Sequence, residues 1–206
     1  MAKGKRTLET LEINGGALCL NFINTVSSRP TFEHDYLGTY SDLVIWGIKA
    51  GVYLPKQGAQ LQKRAKEENN KAEEALQEVK VFRELLYRLF SSLITHVNPD
   101  KQGMATFVHF YAEAIANSHF VTNDRHYVIN WEIGQASSAL LWPIAYSAGQ
   151  LLLSQELSRV KECAGCGWLF LDSSKNQTRR WCSMNVCGVS DKMQRYYRKS
   201  HPGLSS

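Results

Sequence analysis

Apolar residues recur at helical spacing through the middle of the chain. Between Gln60 and Val97 they return every three, four or seven positions, and Lys, Arg and Glu fill most of the rest. This pattern predicts a long amphipathic helix that breaks in two at Asn69-Asn70. One side of such a helix usually covers a core, and a coiled-coil homodimer is the alternative. The apolar positions are Leu61, Ala65, Ala72, Leu76, Val79, Phe82, Leu86, Leu89, Leu93 and Val97.

The segments on either side are shorter. Residues 16–26 alternate in polarity and fit either a half-buried strand or the first turn of a helix. Ser41-Asp42 is expected to cap a helix from Leu43 to Ala50 that Gly51 ends. A further helix is predicted at 106–117, and its inward residues are Phe107, Phe110, Tyr111, Ala114 and Ile115. Residues 119–131 are predicted to form a hairpin. An apolar helix is predicted at 133–154, and Pro143 either kinks it or starts its second half. The expected core includes Trp46, Phe82, Leu86, Phe110, Leu140, Leu141 and Leu152.

Four of the five cysteines form two pairs near the C-terminus. Cys163 and Cys166 are separated by two residues, fifteen residues follow, and Cys182 and Cys187 are separated by four. This spacing is typical of a tetrahedral site for one Zn²⁺. Four sulfur ligands leave no open coordination position, so we expect a structural zinc ion and not a catalytic one. Cys19 has no cysteine nearby and is expected to be a small buried residue.

The residues around the ligands predict a small fold. Trp168 to Leu171 is apolar and suits a strand, residues 172–177 are rich in turn formers, and Thr178 to Trp181 suits a returning strand, which together predict a hairpin. A helix of about three turns is expected to follow Cys187. A cysteine knuckle, a hairpin and a helix that carries the last ligand predict a treble-clef-like zinc finger. We call residues 159–206 the finger and residues 1–158 the body.

These motifs resemble a known family. CAGCGWLFLD, RRWCSM and Cys187-Gly188 are similar to the bacterial CGNR zinc fingers, and GALCLNFINT with SDLVIWGIKAGVY resembles the ABATE domain that accompanies them. Val189-Ser190 stand where that family has Asn-Arg, so the contribution of the Arg is reduced here or passes to Lys192. The resemblance implies a stress-response transcription regulator. The fold class expected is mainly α with small β elements (α+β), a helical domain over 1–158 followed by the finger.

Positive charge is concentrated in the finger. It holds 9 Lys/Arg and 3 Asp/Glu, a net of +6, whereas the body holds 15 and 16, a net of −1. A basic module on a neutral body is typical of nucleic-acid binding. The candidate DNA-binding residues are Arg179, Arg180, Lys192, Arg195, Arg198 and Lys199. We expect Met193 and Tyr197 to pack on the hairpin or on the body. An adaptor whose finger binds another protein is the alternative function.

The body offers a second candidate site. Polar residues flank apolar ones after residue 20, a mixture that suits a small-molecule effector pocket or an ordinary capped loop. These residues are Asn21, Asn24, Thr25, Arg29, His34, Asp35 and Tyr36. An enzyme that uses this loop is a third hypothesis, but the sequence lacks the common nucleophile, metalloprotease and phosphate-loop motifs. We therefore expect that the protein is not an enzyme. The sequence shows no apolar signal segment and no run of eighteen apolar residues, so a cytoplasmic protein without a membrane span is expected.

Overall fold

A computed structural model describes residues 7–132 and 137–200, except for the side chains of residues 137, 138 and 198. As expected, this part of the chain is mainly helical with few short strands. Within it no helix is long and apolar enough to cross a membrane. The α-helices are α1 (Leu18–Ile23), α2 (Tyr40–Lys49), α3 (Pro55–Glu67), α4 (Asn69–Ile94), α5 (Lys101–Ala116), α6 (Trp142–Leu153) and α7 (Val189–Ser200). The strands are β1 (Ser118–Asn123), β2 (His126–Trp131), β3 (Val160–Glu162) and β4 (Leu169–Leu171).

The helix boundaries follow local chemistry. α2 begins after Thr39, whose hydroxyl accepts a hydrogen bond from the Asp42 amide (3.2 Å) while the Asp42 carboxylate accepts one from the Thr39 amide (2.8 Å). This reciprocal cap lies two residues before the predicted Ser41. Gly51 follows α2 with φ +75°, as its predicted role requires. The predicted break at Asn69 is confirmed, because α3 ends at Glu67 and α4 begins at Asn69.

Among the described residues, one apolar core forms between α4 and the helices around it and continues into β3 and β4. Most of the predicted core is confirmed, since Trp46, Phe82, Leu86, Leu140 and Leu141 are buried and Phe110 and Leu152 pack partly against them. Two inward assignments are wrong. Val97 lies beyond the end of α4 and is 60% exposed, and Ile115 is 44% exposed because Phe107 and Ala114 take the inner side of α5.

The rest of the body consists of the β1–β2 hairpin and α6. β1 and β2 pair in antiparallel register from Ser118 with Trp131 to Asn123 with His126, as predicted. The predicted helix from Ile133 to Ser154 is shorter, because α6 begins at Trp142, with Pro143 in its first turn, where proline is tolerated. A 3-10 turn, Ser137–Leu140, precedes it. Residues 133–136 lie outside the described residues.

The predicted pairing of strands in the finger is wrong. β4 pairs with β3, in the register Val160–Leu171 to Glu162–Leu169, and not with Thr178 to Trp181. The knuckle at Cys163–Cys166 is therefore the loop of the hairpin. Residues 178–181 form an irregular return that the Ala164 amide holds by donating to the Arg180 carbonyl (3.1 Å). The short loop that carries Cys163 and Cys166 reverses the chain direction. The strand before this loop, β3, therefore pairs with the strand after it, β4.

Candidate metal centre and nucleic-acid surface

Backbone hydrogen bonds shape the loop that carries the first two cysteines. The Cys163 amide donates to the Trp168 carbonyl (2.8 Å), and the Gly167 amide donates to the Cys163 carbonyl (2.9 Å). Gly167 has φ +71°, and a Cβ there would lie 2.7 Å from the Cβ of Arg29. Glycine is thus required both by the turn and by the close approach of the body.

The second pair of cysteines enters at the start of the C-terminal helix. Cys182 ends the irregular return, and Cys187 lies in a π-helical turn, Met184–Gly188, that leads directly into α7. The Cys187 and Gly188 amides both donate to the Ser183 carbonyl, at 3.0 and 3.1 Å. The last ligand is therefore fixed at the beginning of the helix, as the treble-clef-like prediction requires.

The four thiols converge on one point. All four sulfur atoms lie within 4.8 Å of one another, and all four residues are buried. The Cys166 Sγ–Cys182 Sγ distance is 3.6 Å and the Cys182 Sγ–Cys187 Sγ distance is 3.8 Å. A tetrahedron with Zn–S bonds of about 2.3 Å has edges of about 3.8 Å. The cysteines are free and not disulfide-bonded, so the site fits one structural zinc ion.

Polar contacts brace the loops that carry the ligands. The Arg29 amide donates to the Cys166 carbonyl (2.9 Å), and the Asn14 side chain donates to the Cys182 carbonyl (3.2 Å). Arg179 donates to the carbonyls of Cys182 and Trp181, the latter at 2.8 Å. Two of these four hydrogen bonds come from the body. The metal centre is therefore supported from both parts of the chain.

Asp172 organises the turn of the finger, a role that the sequence pattern did not reveal. Its buried carboxylate accepts from Lys161 Nζ (2.7 Å), from the Ser174 hydroxyl (2.6 Å) and from the amides of Ser174 and Arg179 (both 3.0 Å). Burial raises the pKa of Asp172, but these donors outweigh it and leave the pKa below its ordinary value. The sequence signal for this role is an Asp followed two residues later by a Ser, a pattern that favours a turn in which the Asp side chain accepts hydrogen bonds.

Comparison with known families decides what the chain is. A model of the CGNR zinc finger matches residues 159–200. The ABATE model, described as "putative stress-induced transcription regulator", matches residues 16–155, which is more than half of the chain. The chain belongs to the ABATE family. No curated protein matches it. The two descriptions name a regulator and a zinc finger, and neither names an enzyme.

The polar residues predicted as a pocket in the ABATE region bond to groups of the chain itself. The Asn21 side chain accepts from the Gly15 amide (2.7 Å), and the Asn24 side chain bonds to the backbone of β4. The His34 ring lies edge-on to the Tyr36 ring, with centroids 5.2 Å apart. The others, Thr25, Arg29 and Asp35, join one ionic cluster.

That cluster surrounds Arg83, a buried residue of α4 that the sequence analysis missed. Its guanidinium donates to both carboxylate oxygens of Asp35 (each 2.8 Å) and to the Thr25 hydroxyl (3.1 Å). Glu84, the next residue, accepts from Arg83 Nε (2.9 Å) and from Arg29 Nη1 (2.5 Å). Burial raises the pKa of Asp35, but Arg83 outweighs it and leaves the pKa below its ordinary value.

The predicted DNA-binding residues differ in their surroundings. Arg179 lies over the Phe170 ring, 4.7 Å from its centroid, and braces the finger as described above. Arg180 is exposed, with its guanidinium 5.2 Å from the centre of the Trp181 ring. Lys192, Arg195 and Lys199 are exposed on α7, and Arg195 Nη2 forms an ion pair with the Asp191 carboxylate (2.5 Å). The side chain of Arg198 lies outside the described part of the structure.

The packing predicted for the apolar side chains of α7 is also wrong. Met193 and Tyr197 were expected to lie against the hairpin or the body, but they are 67% and 55% exposed. Among the side chains of α7 that the structure describes, only Ser190 and Asp191 are half-buried. The first turn is therefore the part of α7 that packs, since Cys187 fixes it, and the described side chains from Lys192 onward are exposed on every side of the helix.

Proposed function

We propose that this ABATE family member is a DNA-binding transcription regulator whose finger carries the DNA-binding surface. The observation that carries the proposal is the exposed cation set Lys192, Arg195 and Lys199, which share one side of α7 by their spacing of three and four. The charge distribution supports it, since the finger has a net charge of +6 and the body has a net charge of −1. Exposed cations on a protruding helix attract a phosphate backbone.

A bound zinc ion would hold this surface in place. The residues that would hold it are Cys163, Cys166, Cys182 and Cys187, and their closed all-sulfur set supplies structural and not catalytic chemistry. Cys187 fixes the start of α7, and Cys182 fixes the end of the return that carries Arg180. Loss of the metal would therefore separate the two groups of cations.

The remaining predicted contacts take different parts in the proposal. Arg180 adds a phosphate contact beside α7, and Arg198 extends the row of cations along the helix. Arg179 contributes charge, although its hydrogen bonds to the ligand loop give it a positioning role as well. Because Val189-Ser190 replace the Asn-Arg of the CGNR motif, we propose that Lys192 supplies the first cation of the helix.

Selection of bound duplexes from a random-sequence pool tests the proposal. We expect the zinc-loaded full chain to enrich duplexes, and Cys182→Ser or a chelator to abolish the enrichment. Lys63→Glu/Lys66→Glu is the matched control, since both lysines are exposed on α3 in the body. No enrichment by the zinc-loaded chain at low salt would rule the proposal out.

The adaptor hypothesis predicts a different outcome. A protein partner would bind the finger with little salt dependence, and charge reversal at Arg195 and Lys199 would abolish that binding without changing nucleic-acid affinity. A small-molecule effector at the body loop, a homodimer and a cytoplasmic location remain predictions that accompany the regulator. The hydrogen bonds within the body loop favour a structural role for its polar residues over a catalytic one.

A further inference from the structure

The C-terminal helix exposes a row of apolar side chains to solvent. Val189, Met193, Tyr196 and Tyr197 are 48%, 67%, 74% and 55% exposed. Their spacing of four, three and one places them on one side of a helix, and we call them the apolar stripe. An exposed row of large apolar side chains marks a surface that contacts a partner.

Two distinct sides of α7 follow from the helical period. At 3.6 residues per turn, the centre of the apolar stripe lies about 110° around the helix axis from the side that carries Lys192, Arg195 and Lys199. Ser190 and Asp191, in the first turn, are half-buried, and Asp191 lies beside the basic side, where its carboxylate pairs with Arg195 Nη2 (2.5 Å). The apolar and basic sides are therefore both available to the same partner.

The charge of the helix identifies that partner as a polyanion. A second copy of this chain on the stripe would bring another set of Lys192, Arg195 and Lys199, with charge of the same sign, towards the first. A nucleic acid would instead place phosphates beside these cations. A twelve-residue helix is about 18 Å long, and the major groove of B-DNA, about 12 Å wide, admits one.

We propose that the apolar stripe is the base-reading side of α7 and that it contacts thymine methyl groups in the major groove. In this arrangement the basic side holds the phosphates of one strand. Thymine is the base that presents a methyl group in the major groove, and apolar side chains are its natural contacts. The inference rests on the proposed function and adds to it the residues that determine sequence preference.

Replacing thymine by uracil in the DNA tests this directly. The probes are a short A·T-rich duplex and the same duplex with deoxyuridine at every thymidine, which removes the 5-methyl groups and keeps every phosphate. We expect the full zinc-loaded chain to bind the uracil duplex more weakly, by about fourfold for each methyl contacted. Met193→Gln and Tyr196→Ser should each reduce the preference for the thymine duplex and keep the salt dependence of the wild type.

Lys192→Gln is the matched control on the same helix. It should keep the preference for thymine over uracil while the slope of log affinity against log salt falls by about one. Because these three side chains are exposed, each variant should retain one zinc per chain and the wild-type circular dichroism spectrum.

The outcomes separate this inference from the proposed function. No binding to either duplex at low salt would rule out both. Equal binding of both duplexes by the wild type, or an unchanged thymine preference in Met193→Gln and Tyr196→Ser, would overturn the inference alone. A wild-type dimer that these two variants convert to monomers, without any thymine preference, would show that a second copy occupies the stripe.

Discussion

The side chain of Asn24 pairs with the backbone of Leu169 as a neighbouring strand would. Its Nδ2 donates to the Leu169 carbonyl at 2.7 Å, and its Oδ1 accepts from the Leu169 amide at 3.0 Å. Both contacts are buried, and they join the end of α1 to β4 of the finger. Trp168 reinforces this junction, because its indole donates to the Val26 carbonyl at 2.7 Å. The body thus completes the hydrogen bonding of the finger.

The first prediction concerns this junction. Asn24→Ala leaves the amide and carbonyl of Leu169 buried without partners, so the free energy of unfolding should fall by about 1–3 kcal/mol. Urea unfolding of the zinc-loaded chain measures the change. Asn70→Ala is the control, because Asn70 is exposed near the start of α4. If the two variants lose the same stability, the pairing contributes nothing.

The second prediction concerns the metal. Purified protein should contain one zinc ion per chain, and Cys163→Ser should lose it together with the amide protection of the finger. Structural zinc supplies about 10–16 kcal/mol of apparent binding free energy in finger peptides, far more than so small a core provides. Cys19→Ser is the control, since Cys19 is fully buried in the body, where burial raises the pKa of its thiol to about 12.

Metal removal also tests the domain boundary. We propose that residues 1–158 keep their helices without zinc, because their core residues suffice for one hydrophobic core. Their melting temperature should nevertheless fall, since Trp168, Leu169 and Phe170 are fully buried in the same apolar cluster. Loss of the helical circular dichroism signal on chelation would contradict this division of the chain.

The third prediction concerns Arg83. Asp35→Asn removes one carboxylate partner of this buried guanidinium, while Glu84 and Thr25 still accept from it, and should destabilise the chain by about 1–3 kcal/mol at pH 7. The pKa of Asp35 is lower in the folded state, so its contribution is present above the unfolded pKa of about 3.9 and is lost as the pH falls further. The stability difference between wild type and variant should therefore shrink below about pH 4. A constant difference down to pH 2.5 would contradict the ion pair.

The fourth prediction concerns the core. Phe82 is 1% exposed, so Phe82→Ala should cost about 3–5 kcal/mol in unfolding free energy. Val81 is 67% exposed on the same helix, and Val81→Ala should change stability by less than about 0.5 kcal/mol. Similar losses in both variants would mean that the sides of α4 are assigned incorrectly.

Much of the fold was predictable because local signals dominate it. The period of the apolar residues predicted α4, Asn69-Asn70 predicted the break before it, and the cysteine spacing predicted the metal centre. These features depend on residues close together in sequence. The helix predicted after Ser41 begins three residues earlier than expected, and the helix that contains Pro143 begins nine residues later. Caps and proline positions shift a boundary without changing the apolar pattern.

The remaining features depend on partners distant in sequence. β4 is apolar, and nothing in its own residues distinguishes β3 from Thr178–Trp181 as its neighbour. Arg83 reads as one more charged position on an amphipathic helix, although its partner Asp35 lies 48 residues earlier. The exposure of Met193 could not be predicted, because the helical period gives its side of α7 but not whether anything covers that side.

The central claim, DNA binding by the basic side of α7, is tested most directly by the salt dependence of affinity for a duplex. Fluorescence anisotropy would be recorded across a salt series for the wild type, for Arg195→Glu/Lys199→Glu and for the body control Lys63→Glu/Lys66→Glu. We predict that the log–log slope of the finger variant is less steep by about two and that its affinity falls, while the control matches the wild type. A finger variant with the slope and affinity of the wild type would contradict the account.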